Sequence, residues 1–354
     1  MGNRVLIGMS GGVDSTAAAL ILSSEGYDVS GLTMELIGQQ DLPEGSKSPE
    51  IAVKDARIAA EKLGIPHYVL KLKEKFRDEI VVNFCQSYLS GLTPNPCVRC
   101  NKYIKFGVML DYALENGYDY IATGHYARIE YNKETQKYKL KKAADKSKDQ
   151  SYFLYTLTQD RLRHILFPLG EYTKPQVRDA AEKRGLRNAR KRDSQDICFI
   201  QNEKYSDFIR RYIENKITAG SFTDISGKIL GQHTGITDYT IGQRKGLGIS
   251  FESPMYVLSK NAEKNTIVLG NDKDLYTTCI NAFSINFISG DYPLTPLEAS
   301  AKIRYSQDEV KCLIHPVGKD EIKIEFEQPV RAAAAGQSVV FYSGEELLGG
   351  AIIK

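Results

Sequence analysis

From Arg4 to Thr123 the chain alternates short apolar runs with longer stretches whose apolar residues recur every three or four positions. Arg4 to Met9 reads as a buried strand, and Val13 to Ser24 as a helix that Gly26 closes with a left-handed cap. Tyr27 to Leu36 is the next strand. Ser48 and Pro49 serve as N-cap and first residue of a helix whose Ala52, Ala56, Ala59, Ala60 and Leu63 share one face, and Gly64 ends it. His67 to Leu72 forms a third strand, Phe76, Ile80, Phe84 and Tyr88 mark a helix, about Lys102 to Glu115 another, and Tyr120 to Thr123 a fourth strand. This alternation predicts an α/β fold, a doubly wound parallel sheet with ligands at the carboxyl ends of its strands. After about Ile217 the helical period gives way to Gly, Thr, Ile and Val. Met255 to Leu258 and Thr266 to Leu269 flank a turn over Asn261 to Asn265, a hairpin, and Ala301 to Tyr305, Val310 to His315, Ile322 to Phe326 and Ser338 to Tyr342 read as strands of a small barrel or sandwich. The expected domains are 1–205, 206–274 (a small β-rich linker domain) and 275–354 (a C-terminal β-barrel).

A length of 354 residues suits two or three domains, and 42% hydrophobic with 26% charged residues excludes disordered and fibrous classes. No stretch approaches the ~20 apolar residues of a membrane span, and Asp14 interrupts the N-terminal apolar run without a cleavage-like site. A cytoplasmic protein with no membrane partner is expected. Six cysteines are too sparse for a disulfide scaffold, so paired cysteines point to chemistry. The net charge of +3 hides two basic segments: Arg128 to Asp149 holds eight basic residues against four acidic, and Arg161 to Arg192 ten against three. Such segments suit a polyanionic partner, and equally suit solvated helix faces.

Three local patterns carry candidate chemistry. Directly after the first strand, Ser10-Gly11-Gly12-Val13-Asp14-Ser15 leads into a helix. Glycines let backbone amides approach an anion, the helix N-terminus adds positive potential, and Ser10 and Ser15 donate hydroxyls, which makes a phosphate cradle. It lacks the Gly-Lys-Ser/Thr ending of a Walker loop and so the lysine point charge; Asp14 is expected to help hold Mg2+ on the departing pyrophosphate. The loop resembles that of the PP-loop ATP pyrophosphatases, which cleave ATP between its α and β phosphates; the resemblance places Gly8, Met9, Ser10, Gly11, Gly12, Val13, Asp14 and Ser15 around ATP. Second, Asn95-Pro96-Cys97-Val98-Arg99-Cys100-Asn101-Lys102 sets a Cys-x-x-Cys at the mouth of a helix, where helix amides, Arg99 and Lys102 should lower the thiol pKa. Third, Cys198 stands in an apolar Ile-Cys-Phe-Ile setting, which alone reads as a buried small hydrophobe. Cys85, Cys279 and Cys312 are expected to be packing residues.

With Ala122-Thr123-Gly124-His125-Tyr126-Ala127-Arg128, Lys148-Asp149-Gln150-Ser151-Tyr152 and Gly242-Gln243-Arg244-Lys245-Gly246-Leu247-Gly248 in the same order, the whole chain resembles the bacterial tRNA-specific 2-thiouridylases. That resemblance implies ATP-dependent 2-thiolation of the wobble uridine of tRNAs with Lys, Glu and Gln acceptors. The uracil 2-carbonyl would be adenylated and then attacked by a persulfide on Cys198, supplied by a sulfur-relay or cysteine desulfurase protein, with Cys100 as resolving nucleophile. It further implies that Met34 and Gly124 contact adenosine, that Asn95, Pro96 and Cys97 meet the target base, and that His125, Lys148, Asp149, Gln150, Arg304, Tyr305 and Gln337 contact tRNA. A less favoured reading makes His125 a satisfied polar residue at a strand end. The best-known branch of the family has an aspartate general acid or base where this chain has Cys97. That change makes Cys97, Cys100 and Cys198 candidate thiolate ligands of an iron-sulfur cluster, an alternative route to the same thiolation. Another PP-loop enzyme, such as an amidase or ligase, and a non-enzymatic metal-stabilised RNA-binding protein are the competing readings. No resident metal ligands are assigned.

Overall fold

The computed structural model describes residues 3–43, 45–46, 48–186, 197–213 and 217–354. The first unit is built as β1 (Arg4–Gly8), α1 (Val13–Ser24), β2 (Asp28–Glu35), α2 (Pro49–Leu63), β3 (His67–Lys71), α3 (73–89), α4 (96–115) and β4 (Tyr120–Ala122). A hairpin of β5 (Ala127–Asn132) and β6 (Lys137–Lys142), a short helix α5 (Gln159–Leu162), β7 (Ile165–Leu166), α6 (Lys174–Lys183) and α7 (Tyr205–Tyr212) follow. Strands β3, β2, β1, β4 and β7 lie in that order in one parallel sheet. The order reverses between β1 and β4, so the crevice at their carboxyl ends is the place for a ligand. Val5, Leu6 and Ile7 are fully buried, as a strand covered on both faces requires. Ser48 caps α2 and Gly64, at φ 69°, closes it, as the sequence predicts.

The second unit is a four-stranded sheet ordered β10 (Tyr256–Asn261), β11 (Thr266–Gly270), β8 (Gly220–Thr223), β9 (Ile229–His233). The third contains β12 (Tyr276–Phe287), β13 (Leu297–Lys302), β14 (Val310–Gly318), β15 (Glu321–Arg331), β16 (Ser338–Ser343) and β17 (Glu346–Ile353), closed into a barrel by pairing of β12 with β17. β17 also pairs with β6, Leu347 opposite Leu140, so the β5–β6 hairpin of the α/β unit extends the barrel sheet. One apolar core crosses the junction: Leu6, Phe106, Leu140, Tyr152, Tyr155, Val340, Tyr342 and Leu347 belong to the same buried cluster. Tyr152 donates to the Ser338 carbonyl at 2.8 Å and Ser338 to the Tyr155 hydroxyl at 3.2 Å.

Half of the basic residues of the segment Arg128 to Asp149 pair across this junction, while Lys133 and Lys146 are exposed. Arg128 pairs with Glu345 at 2.7 Å, Lys139 with Glu346 at 2.7 Å, Lys142 with Glu309 at 2.5 Å, and Lys137 with Asp291. The surplus seen by counting charges is matched by carboxylates of the barrel, which lie far along the chain. Of the second segment, residues 187–192 lie outside the described residues; Arg161 is spent internally, its guanidinium donating to the carbonyls of Lys102 and Phe106. Among the described residues no helix is long and apolar enough to cross a membrane.

Candidate active site

The loop from Gly8 to Ser15 leaves β1 and enters α1 at the sheet crevice. Met9, Val13 and Ser15 are buried, and the Ser10 amide donates to the Ser15 hydroxyl at 3.2 Å. Gly11, at φ 71°, lies so near α2 that a Cβ would meet the Ala52 carbonyl at 2.8 Å. Gly12 is the N-cap of α1 and offers no capping side chain. The Asp14 carboxylate receives the Lys174 ammonium at 2.7 and 2.8 Å and the Tyr126 hydroxyl at 2.9 Å. Lys174 is 5% exposed. It supplies in space the cation that the loop lacks in sequence. The signal was present: Thr173 and Gln176 form a capping box and Pro175 follows, so Lys174 opens a helix, where a cation opposes the macrodipole.

Both Asp14 oxygens are thus engaged, and among the described residues no three His, Cys, Asp or Glu side chains are grouped to hold a metal. One carboxylate beside a phosphate cradle fits Mg2+ that arrives on a nucleotide, since Mg2+ commonly takes one or two carboxylates plus substrate phosphates.

The three thiols lie near enough to act on one another electrostatically. Asn95 caps α4 by accepting from the Val98 amide at 3.3 Å, Pro96 is its first residue, and Cys97 and Cys100 stand on its first turn. All three cysteines are free; Cys97 and Cys198 reach solvent while Cys100 is buried. The expectation of a lowered thiol pKa does not hold at Cys100, which burial pushes up to about 11. Arg99 and Lys102 do not relieve this. Arg99 pairs with Glu79 at 3.0 Å and stacks on Tyr103, over which Lys102 also sits. The counteracting cation is Lys105, absent from the sequence-based assignment. It lies in the π-helical stretch Asn101–Val108 of α4, a widened turn of the kind found at functional sites.

Residues 123–126, between β4 and β5, join the two parts. Gly124 presses on the loop, where a Cβ would meet the Ser15 nitrogen at 2.8 Å and the Asp14 carbonyl carbon at 2.9 Å. Tyr126 reaches Asp14, as above. His125 turns the other way: Nε2 is 3.4 Å from the Lys105 ammonium and Nδ1 is 2.7 Å from the Thr123 hydroxyl. Burial and Lys105 hold its pKa well below the usual histidine value. The ring is therefore neutral, accepting at Nε2, because an ammonium has no acceptor, and donating from Nδ1.

The residues assigned to tRNA are dispersed. His125 is enclosed between Phe106 and Phe167. Asp149 accepts from Ala143 and Ser151, and Gln150 from the Tyr126 amide, so this stretch shapes the turn that docks the barrel. Lys148 is half-buried on that turn. Tyr305 is exposed, stacks on Phe153 and donates to the Asp149 carbonyl. Arg304 donates to the carbonyls of Ile241 and Ala332, and Gln337 lies near the contact of Thr93 with Ala335, beside the Asn95 loop. Met34, at the end of β2, packs between the sheet core and the aromatic cluster that holds Phe199. The stretch Asp193 to Asp196 before Cys198 lies outside the described residues.

Three family models match the chain: a tRNA methyl transferase HUP domain over residues 3–202, a tRNA methyl transferase PRC-barrel domain over 206–271, and an aminomethyltransferase beta-barrel domain over 277–353. The tRNA-specific 2-thiouridylase MnmA of Acetivibrio thermocellus is 48% identical over 99% of this chain and 99% of its own length. That of Clostridioides difficile is 48% identical over 100% and 99%, and that of Clostridium acetobutylicum 45% over 100% of both.

Proposed function

The chain belongs to the tRNA-specific 2-thiouridylase family, and on that premise we propose that ATP activation and sulfur transfer proceed at the two ends of the crevice joined by residues 123–126. Membership makes the chain a sulfurtransferase that acts on tRNA uridine. The uracil 2-oxygen attacks the α phosphate of ATP; an O–P bond forms, the α–β bond breaks and pyrophosphate leaves. Oxide is a poor leaving group and AMP a good one, which is what adenylation achieves. The amino end of α1 with Ser10, Ser15 and Lys174 stabilises the phosphates, and Asp14 holds or releases Lys174 as they arrive. Mg2+ on the nucleotide would add charge neutralisation beside Asp14.

Sulfur then comes from a persulfide on Cys198, charged by a donor protein. Its outer sulfur attacks uracil C2, a C–S bond forms and AMP departs with the old oxygen. The Cys100 thiolate attacks the Cys198 sulfur; the S–S bond breaks with its electrons going to the sulfur on C2, and a Cys100–Cys198 disulfide remains for an external dithiol to reduce. Residues 95–97 receive the base, and Lys148, Arg304, Tyr305 and Gln337 bind the tRNA around it. The carrying observation is the short turn that touches Asp14 with Tyr126, the loop backbone with Gly124, and the cysteine side with His125. Incubation with tRNA, ATP, Mg2+ and a persulfide donor, followed by nucleoside mass analysis, should give 2-thiouridine with AMP and pyrophosphate in equal amounts. Thiolation without ATP cleavage would overturn the reading.

A further inference from the structure

We propose that the loop Gly242 to Gly248 of the middle unit is a docking site for the phosphodiester backbone of the tRNA, with Arg244 and Lys245 as the cations that meet it. Family membership supplies tRNA as the substrate, and the inference needs no part of the adenylation and sulfur-transfer chemistry above. Both ends of the loop are fixed. At its start the Gly242 amide donates to the Val257 carbonyl at 2.8 Å, and the Val257 amide to the Gln243 carbonyl at 3.0 Å. The Gln243 side chain closes the turn, accepting from the Thr240 amide and donating to the Lys245 carbonyl, each at 3.0 Å. At the far end Leu247 is buried in the core of the middle unit, and Ile249 packs against the same cluster. Gly246 and Gly248, at φ 76° and 74°, turn the chain into and out of that anchor, in a conformation that only glycine adopts without strain.

Arg244 and Lys245 are thereby held, exposed, at the apex of a pinned turn. Among the described residues neither side chain has a hydrogen bond or an ion pair, whereas Lys139, Lys142 and Arg331 are matched by carboxylates. Arg244 lines an open cavity of about 530 Å³ whose walls include Gly246, Gly248, Ser250, Phe251 and Glu252. Glu252 is the one carboxylate on that cavity, and no ion pair joins it to either cation. The foot of the loop continues into the surface already assigned to tRNA. Arg304 donates to the Ile241 carbonyl at 3.0 Å and to the Ala332 carbonyl of the barrel at 2.9 Å, which sets the exposed Tyr305 beside the loop's entry. The Thr240 hydroxyl lies 2.9 Å from that of Tyr205, tying the same foot to α7 of the α/β unit. Unpaired cations on a fixed turn, open to solvent and continuous with an exposed aromatic, suit a strand of phosphates, whose affinity comes from releasing counterions and needs no enclosing pocket.

The test measures binding of the full-length protein to tRNA by filter retention across a salt series, without ATP or a sulfur donor. Arg244→Gln combined with Lys245→Gln removes both charges at exposed positions, with thermal unfolding as the check on folding. The doubly neutral variant should bind at least tenfold more weakly at about 0.1 M salt, with a log-log salt slope shallower by roughly 1.4 to 1.8, the loss of two phosphate contacts. Arg244→Lys combined with Lys245→Arg should restore both. Phosphates carry no sequence, so cognate and non-cognate tRNA should lose affinity equally. If the double variant does not fold, Arg244→Gln alone should flatten the slope by roughly 0.7 to 0.9. Affinity and slope equal to those of the parent overturn the proposal, as does a loss confined to cognate tRNA. A parent protein that makes no thiouridine, with the binding loss intact in the variant, would instead overturn the sulfur-transfer reading and leave the docking site standing.

Discussion

Lys174 lies 160 residues beyond Asp14, yet the two meet at hydrogen-bonding distance on the phosphate loop. The glycines and serines of the loop could be read because their meaning is local: a strand before, a helix after, and small residues between. Lys174 could not be paired with Asp14 that way, since only the packing of α6 against α1 brings them together. Replacing it with Met should lower pyrophosphate release by about a hundredfold, a typical cost of losing one preorganised charge, and leave tRNA affinity unchanged. A variant with unaltered turnover would reduce Lys174 to a partner of Asp14 alone. Lys260 gives a second test at this scale. It sits over the Tyr88 ring and donates to the Tyr239 carbonyl, and burial lowers its pKa to about 8. An unfolded lysine titrates near ~10.4, so between these values the unfolded chain holds more protons and native stability rises with pH. Comparing the parent with Lys260→Met by denaturant unfolding at about pH 7 and about pH 10 should show that rise in the parent and its loss in the variant. Parallel pH dependences would remove Lys260 as the cause.

The turn between β4 and β5 works as an element because each residue faces a different neighbour. Gly124→Ala places a methyl group against backbone that cannot yield, so the loop must shift. ATP cleavage should fall at least tenfold, with the loss mainly in the apparent affinity for ATP rather than in turnover; steady-state kinetics at varied ATP separates the two. The β5–β6 hairpin shows where counting charges misleads. Eight basic residues in a short stretch suggested a phosphate-facing surface, but Lys139 and Lys142 bridge to Glu346 and Glu309. Their partners lie well over a hundred positions away, beyond any local pattern. Neutralising Lys141 and Lys142 should therefore disturb the hairpin–barrel junction, not only the salt dependence of tRNA binding. The cysteine pair misled in the opposite sense: helix amides and basic neighbours promised a lowered pKa, and burial outweighed them.

Across the whole molecule, the α/β unit and the barrel share a core, so neither is a free module. Leu347 is fully buried against both. Its replacement by Ala should cost about 2–4 kcal/mol, and calorimetry should show the transitions of the two units moving together; a shift confined to one would argue against the shared core. The parallel sheet was readable because its strands are buried on both faces and its helices keep their period. Much of the barrel was not: β12 mixes Thr277, Asn281 and Asn286 into its alternation, bends at Ser284 with φ 54°, and pairs with β17, where Gly349 and Gly350 weaken any strand signal. Gly350 is needed there because Tyr155 of the α/β unit lies 2.7 Å from where a Cβ would stand. These contacts hold the Asn95 loop, the thiols and the phosphate loop in one frame, and the central claim is that activation and sulfur transfer are separate steps within it. The Cys198→Ser protein tests this most directly, given tRNA, ATP, Mg2+ and a persulfide donor and followed by mass analysis of the tRNA. The account predicts adenylated uridine with no 2-thiouridine, and 2-thiouridine at the rate of the parent protein would contradict it.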